Sequence, residues 1–196
     1  MGRIHFPDHA TMTEAQKAVF DKIISGKRGE LVGPLRAALH NPELADRWQQ
    51  LGSVLRFDTT LPAQLNELAI LITARRWSSI LEWAIHERDA RKTTLDPAVI
   101  DSLRHGQPPA FGEDHAAAEI YDFVTQLLMR GVPEQAVYDL VRTRWGELGV
   151  VELTAVVGYY SMVAMTLNAH EIPLPEGVTA DLPDAPGALC DLPARV

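Results

Sequence analysis

The segment NELAILITARRWSSILEWAIHERDA, residues 66–90, decides the fold of this chain. Its first half belongs to a helix that starts at Pro62 and repeats apolar residues at spacings of three and four. Residues 77–79 predict a short break. The second half predicts another helix, which carries Glu82 and His86 four positions apart. If these two helices pack as a hairpin, Glu67 of the first helix converges with Glu82 and His86.

The remaining start and stop signals are helical as well. Thr13 and Gln16 form a capping box, and Asn41-Pro42 and Asp96-Pro97 each place a capping residue before a proline at the first helical position. Apolar periodicity predicts later helices at about 113–129, 133–145 and 150–168. No segment alternates with the period of two that is typical of strands. The sequence therefore predicts an all-α protein.

The chain divides into three parts. Residues 1–12 form an N-terminal arm, and residues 13–170 form a single all-α domain. Residues 171–196 form a C-terminal tail, which holds five of the thirteen prolines and has little periodicity.

Composition and charge exclude several classes of function. The 196 residues are 46% hydrophobic and 22% charged, which indicates a globular chain with a real core. A net charge of −8 argues against binding to nucleic acid or to anionic membranes. The apolar run 150–167 contains Glu152 and is shorter than a membrane span, so a buried helix is the better interpretation. The N-terminus lacks the apolar core of a signal peptide, and we expect a cytoplasmic protein.

No cofactor or metal is expected. The chain lacks a dinucleotide fingerprint, a phosphate-binding glycine loop, a zinc helix and a nucleophile elbow. Its single cysteine, Cys190, excludes an internal disulfide and a thiolate metal cage within one chain. A small-molecule substrate is the expected partner.

Helix periodicity gives the pair Glu82 and His86 an ordinary interpretation. At 100° per residue, apolar side chains from Trp77 to Ile85 fall on one stripe, while Glu82, His86 and Asp89 fall on the opposite side. On the helical wheel alone, this polar strip faces solvent and forms a surface salt pair. The alternative is a site, in which Glu67 joins the pair. Two carboxylates beside one imidazole would stabilise its protonated form and make it a proton carrier.

The site interpretation gains from a family resemblance. The run Glu67-Leu-Ala-Ile-Leu, followed by Ala74-Arg75-Arg76-Trp77 and by Glu82-Trp83-Ala84-Ile85-His86, resembles the carboxymuconolactone decarboxylase family. This superfamily includes the alkyl hydroperoxidase D proteins. The resemblance covers about Gly29 to Pro175 and is most specific in the E-x-x-x-H segment. It implies an all-helical fold around a helical hairpin, assembled into trimers or hexamers with sites near subunit contacts.

The resemblance also separates two chemistries. The hydroperoxidase branch uses C-x-x-C-x-x-x-H with an upstream glutamate, and these positions fall on Ser79, Glu82, His86 and Glu67 of this chain. Serine and glutamate cannot perform thiol–disulfide exchange, so a dithiol peroxidase is excluded. The decarboxylase branch lacks the cysteine pair and fits better. It converts a carboxylated muconolactone to an enol-lactone in aromatic catabolism.

The decarboxylase resemblance implies roles for individual residues. His86 delivers the proton, and Glu82 or Glu67 orients it. Arg75 or Arg76 anchors the anionic substrate, unless both only complement the end of their helix. Trp83 is either core packing or a substrate platform. The N-terminal extension and the long tail depart from the compact decarboxylase pattern, which leaves the substrate open. The alternatives are another enzyme on this fold without dithiol chemistry, or a non-catalytic helical oligomer that binds a small molecule.

Overall fold

The structure, a computed structural model, describes residues 2–184 and 186–196. Within these residues it contains helices and no strands, which confirms the all-α prediction. The helices are α1 (Glu14–Ser25), α2 (Pro34–Ala38), α3 (Pro42–Phe57), α4 (Ala63–Arg76), α5 (Ile80–Ala90), α6 (Pro97–Arg104), α7 (His115–Arg130) and α8 (Gln135–Ala169).

Helix α4 forms the centre of the fold. All of its side chains from Leu65 to Arg75 are buried, and the helix packs against α5, α6, α7 and α8. A helix that is apolar on nearly every side has no face to present to solvent, so the other helices surround it. The consequence for function is that a polar side chain between Leu65 and Arg75, such as Glu67, lies inside the molecule.

The break between α4 and α5 is tight. Ser78 has a positive φ of 42°, and the Ser79 amide donates to the Ala74 carbonyl at 2.9 Å. The Ser78 hydroxyl accepts a hydrogen bond from the Arg75 guanidinium at 3.1 Å, and both serines are fully buried. This connection reverses the chain and packs α5 antiparallel along α4, so the two helices form the expected hairpin.

Two predicted boundaries differ from the structure. The predicted helices 133–145 and 150–168 are one element, α8, which is interrupted at Gly146 (φ 69°, ψ −178°). Helix α2 was not predicted, because its five residues are too few to show a helical period.

One helix of the described chain, α8, is long and apolar enough to cross a membrane by length and composition alone. Half of its most apolar window is buried against the rest of the protein. A core helix of a folded domain has the same properties.

The described C-terminal residues, 171–184 and 186–196, contain no helix and pack on the body. The Arg76 guanidinium donates to the Cys190 carbonyl at 2.8 Å, and the Tyr121 hydroxyl donates to the Pro193 carbonyl at 2.6 Å. Ile172, Cys190 and Leu192 are buried. This segment therefore covers the end of α4 and part of α7.

Candidate active site

The helical hairpin joins Glu67 of α4 to His86 of α5. The His86 Nδ1 atom lies 2.8 Å from Glu67 Oε2, and both residues are buried. A carboxylate at this nitrogen accepts its proton, fixes the orientation of the ring and leaves Nε2 free for another partner.

The interpretation from the helical wheel alone, in which the polar strip of α5 faces solvent, does not hold for Glu82 and His86. Glu82 and His86 are only 2% and 4% exposed, whereas Ala84 and Ile85 on the apolar stripe are half-buried. The wheel places the two faces correctly relative to each other. A helical wheel cannot show which face packs against the rest of the protein. In the structure, α4 and α8 pack against the polar face of α5.

Tyr160 of α8 packs against the His86 side chain. Its ring lies edge-on to the His86 ring, with centroids 4.8 Å apart and an interplanar angle of 86°. Burial raises the pKa of the Tyr160 hydroxyl well above its ordinary value of 10.0, and this effect outweighs that of the nearby Arg56 guanidinium, which lowers the pKa. The phenol therefore stays protonated and can only donate or accept a hydrogen bond.

Glu82 is a buried acid without a partner. Neither of its carboxyl oxygens has a hydrogen bond of normal geometry from a described residue. Burial raises the pKa of Glu82 well above its ordinary value of 4.5, and the Ser79 hydroxyl favours the ionised form less than burial disfavours it. The environment therefore favours the neutral acid, which can donate a hydrogen bond as well as accept one.

Glu82, His86 and Tyr160 line one internal cavity of about 40 Å³. Its other walls come from α2, from the loop that precedes α2 and from α3, which contributes Arg56. The cavity has room for at least one water-sized group and is too small for a whole substrate.

A larger cleft of about 300 Å³ adjoins this cavity. The two spaces share Val32, Gly33, Arg56, Leu81 and Ile85 as lining residues. Clefts of about this size hold small ligands in other proteins. The cleft can therefore hold the body of a small molecule while one end reaches Glu82 and His86.

Three residues predicted to bind substrate lie elsewhere. Arg75 is 2% exposed, and its guanidinium donates to the Leu103 carbonyl and to Asp184. Arg76 donates to the Cys190 carbonyl and to Asp191. Both guanidiniums thus bind the C-terminal segment, and neither lines the cavity or the cleft.

Trp83 is fully buried, and its indole N–H donates to Glu87 at 2.8 Å. Trp83 lines neither the cavity that contains Glu82 and His86 nor the adjoining cleft. Its place in the fold is that of core packing.

Two arginines line the cavity, Arg28 and Arg56, and the sequence indicates neither of them. The sequence leaves Tyr160 open between core packing and a pocket, and the structure places it in the cavity wall. Arg28 lies in the loop before α2, and Arg56 lies near the end of α3. No local motif links these positions to residues 67–86, because only the tertiary packing brings them together.

The other chemical groups of interest are not at this site. Cys190 lies in the C-terminal segment, where burial raises the pKa of its thiol above the ordinary value of 9.0. A thiol with a raised pKa has less thiolate for nucleophilic attack. Among residues 2–184 and 186–196, no three His, Cys, Asp or Glu side chains are arranged to hold a metal ion.

Comparison with solved structures identifies the fold. A peroxidase-related protein from Silicibacter sp. TM1040 matches 90% of this chain and 93% of its own length with a TM-score of 0.72 and 15% sequence identity. An alkylhydroperoxidase D core protein from Ralstonia eutropha JMP134 matches 89% of this chain and 93% of its own, with a TM-score of 0.71 and 14% identity. This chain has the alkylhydroperoxidase D fold.

A third structural match is the debrominase Bmp8, solved in complex with 2,3,4-tribromopyrrole. It covers 87% of this chain and 91% of its own length, with a TM-score of 0.67 and 14% identity. No protein-family model matches the chain, and no protein of curated function has significant sequence similarity to it. At these identities the shared property is the fold.

Proposed function

We propose that this protein is a cofactor-free enzyme that decarboxylates a small carboxylated lactone by proton transfer, in the manner of the carboxymuconolactone decarboxylases. The observation that carries the proposal is the group of Glu67, Glu82 and His86, a buried histidine–carboxylate couple and an unpartnered acid beside one cavity.

The chemistry of the reaction matches these groups. When the C–C bond to the carboxylate breaks, CO2 leaves and its electron pair remains on the ring, delocalised onto the lactone carbonyl as a dienolate. Protonation of the carbon next to that carbonyl gives the enol-lactone. The reaction therefore needs a donor for the carbonyl oxygen and a proton for the carbon, and no redox step.

Glu82 and His86 supply those two needs. The neutral acid Glu82 donates a hydrogen bond to the carbonyl oxygen as negative charge develops there, and it does so in a small buried cavity where such a bond is strong. His86 carries the proton to carbon from Nε2, while Glu67 accepts from Nδ1 and stabilises the imidazolium. Tyr160 holds the edge of the ring and limits its rotation.

Two further observations support this class over its alternatives. The cavity contains no thiol, so peroxide reduction by a cysteine pair has no chemical basis there. The debrominase with this fold was solved with a small aromatic ring bound, which makes a ring-shaped ligand reasonable for this chain.

The test is decarboxylation of 4-carboxymuconolactone, followed by ultraviolet absorbance. We expect turnover by the wild-type protein and a loss of roughly 100-fold or more in kcat for His86→Ala, since general acid–base groups contribute about that much. Glu82→Gln keeps a donor, and we expect it to retain more activity than Glu82→Leu.

The matched control is His115→Ala, which removes an exposed histidine at the start of α7, 74% exposed in its side chain. We expect unchanged turnover from this variant. Absence of turnover in the wild type would reject the decarboxylase and favour a non-catalytic binder. An equal loss of turnover in His86→Ala and His115→Ala would reject the assignment of His86 as the proton donor.

A further inference from the structure

The two adjoining cavities are cationic in a protein that is acidic overall. Four arginines line them, namely Arg28, Arg36, Arg56 and Arg88, against the single exposed acid Glu30 and the buried acid Glu82. The whole chain has a net charge of −8. Positive charge collected around a cleft of an acidic protein attracts an anionic ligand to that place.

The four arginines are not equally available to a ligand. Arg56 donates to Asp89 at 2.8 Å, and Arg88 donates to the same carboxylate at 3.2 Å. Arg36 stacks on the Phe6 ring at 3.8 Å. Asp89 therefore offsets the charge of Arg56 and Arg88, and Phe6 covers one face of the Arg36 guanidinium.

Arg28 has no carboxylate within salt-bridge distance among the described residues. Its one hydrogen bond, at 3.3 Å, is to the Tyr159 hydroxyl, and its Nε atom is buried without a partner. A guanidinium offers five N–H donors, and a buried donor without a partner is costly. Most of the hydrogen-bonding capacity of Arg28 is thus unused at the wall of the cavity that holds Glu82 and His86.

The fold makes room for this arrangement at Gly52 of α3. A Cβ atom at this position would lie 1.9 Å from the Tyr159 hydroxyl and 2.3 Å from the Arg28 guanidinium. No side chain larger than hydrogen fits unless the Arg28–Tyr159 pair moves. The pair is therefore built into the packing of α3 against α8.

We propose that Arg28 binds a carboxylate that the substrate keeps through the reaction. The Tyr159 hydroxyl holds the Arg28 guanidinium, and Gly52 leaves the space that this pair occupies. The inference rests on the proposed function and assigns Arg28 to the second carboxylate, which a substrate such as 4-carboxymuconolactone keeps when CO2 leaves. The carboxylate lies at Arg28 and the neutral ring carbonyl lies toward Glu82, while the rest of the ligand occupies the adjoining cleft. This order matches the cavity, which has a free cation on one wall and a buried acid on another.

The test measures binding, so it is independent of turnover. The probes are muconolactone, which has one carboxylate, and its neutral methyl ester, both titrated calorimetrically. We expect the wild type to prefer the acid by roughly ten- to hundred-fold, as for a lost hydrogen bond to a charged group. Arg28→Gln should bind both lactones equally, and Arg28→Lys should keep part of the preference.

Arg130→Gln is the matched control, because Arg130 is exposed at the end of α7 and pairs with Glu134. It should keep the full preference for the acid. Gly52→Ala should lower the preference as Arg28→Gln does while it leaves the residue Arg28 in place. Thermal melting confirms that each variant folds.

The outcomes distinguish the two proposals. A preference that persists in Arg28→Gln, or a wild type that binds neither lactone, would overturn the carboxylate subsite. A preference that depends on Arg28 in a wild type without turnover would keep the subsite and reject the decarboxylase. A His86→Ala variant that loses turnover and keeps the preference supports both.

Discussion

Glu82 shows at the scale of one residue how the fold changes the chemistry of a side chain. In water this carboxyl would ionise near its ordinary pKa of 4.5, whereas in the structure it is 2% exposed and has no described partner. The folded state therefore holds its proton more tightly than the unfolded state does. Such unfavourable burial is typical of functional sites, where chemistry rather than stability selects the residue.

This difference in proton affinity predicts how stability depends on pH. The raised pKa means that the folded state binds more protons than the unfolded state above pH 4.5. Glu82 therefore makes its full contribution to the free energy of unfolding below that pH. This contribution is lost as pH rises through the folded-state pKa, and the free energy of unfolding falls by up to about 1.4 kcal/mol per pH unit. We expect Glu82→Gln, which cannot ionise, to become progressively more stable than wild type as pH rises.

Urea unfolding of wild type and Glu82→Gln between pH 4 and 9 measures this difference. Glu113→Gln is the control, because the Glu113 side chain is fully exposed, and its difference from wild type should not change with pH. A constant difference between Glu82→Gln and wild type would show that Glu82 ionises as freely in the folded state as in the unfolded one.

At the scale of one element, helix α8 supplies Tyr159 and Tyr160 to the site after an abrupt change of direction. Gly146 has φ 69° and ψ −178°, a backbone region that only glycine occupies without strain. Helix α8 as a whole packs against both α7 and α4. The change of direction at Gly146 lies between its two helical segments.

Substitution by alanine should have opposite effects on stability at two glycines of α8. Gly146→Ala should lower the free energy of unfolding by roughly 1–3 kcal/mol, because alanine is strained at this φ and ψ. Gly158 is helical and exposed, and a Cβ there meets nothing within 4 Å. Gly158→Ala should raise the free energy of unfolding by about 0.5–1 kcal/mol through helix propensity.

Chemical denaturation of the two variants measures both effects with one matched change. If both variants were destabilised alike, the backbone conformation at Gly146 would not explain the loss of stability. A general intolerance of α8 to added volume would then be the explanation.

At the scale of the whole molecule, the described surface has an apolar side that the single chain leaves open. Leu44, Leu51 and Val54 lie on the same side of α3 and are 48%, 48% and 50% exposed. Apolar side chains grouped in this way are typical of contact surfaces. The homo-oligomer, a trimer or hexamer, stays a prediction, and this side of α3 is where we expect its contact.

Light scattering coupled to gel filtration tests the assembly. We expect a wild-type mass of three or six chains and a smaller mass for Val54→Glu, because a charge in an apolar contact is costly to bury. Val132→Glu is the control, since Val132 is 65% exposed in the α7–α8 connection. A wild-type monomer, or equal masses for all three proteins, would contradict the prediction.

The sequence by itself determined the elements and the hairpin at the centre of the fold. Capping residues and apolar periods are local signals, so most helices begin and end close to where the sequence predicts them. The pair Glu82 and His86, with Glu67 one helix earlier, was visible for the same reason, because all three lie within 20 residues of one another. Their catalytic roles stay predictions.

Only the tertiary structure decided which side of α5 is buried and which arginines face the cavity. A helical period gives the angle between two faces of one helix, and it contains no information about the neighbour that each face meets. Arg75 and Arg76 bind the C-terminal segment more than 100 residues later, while Arg28 reaches Tyr159 across 131 positions. Contacts at such separations depend on how the helices pack around α4, and no local pattern records that packing.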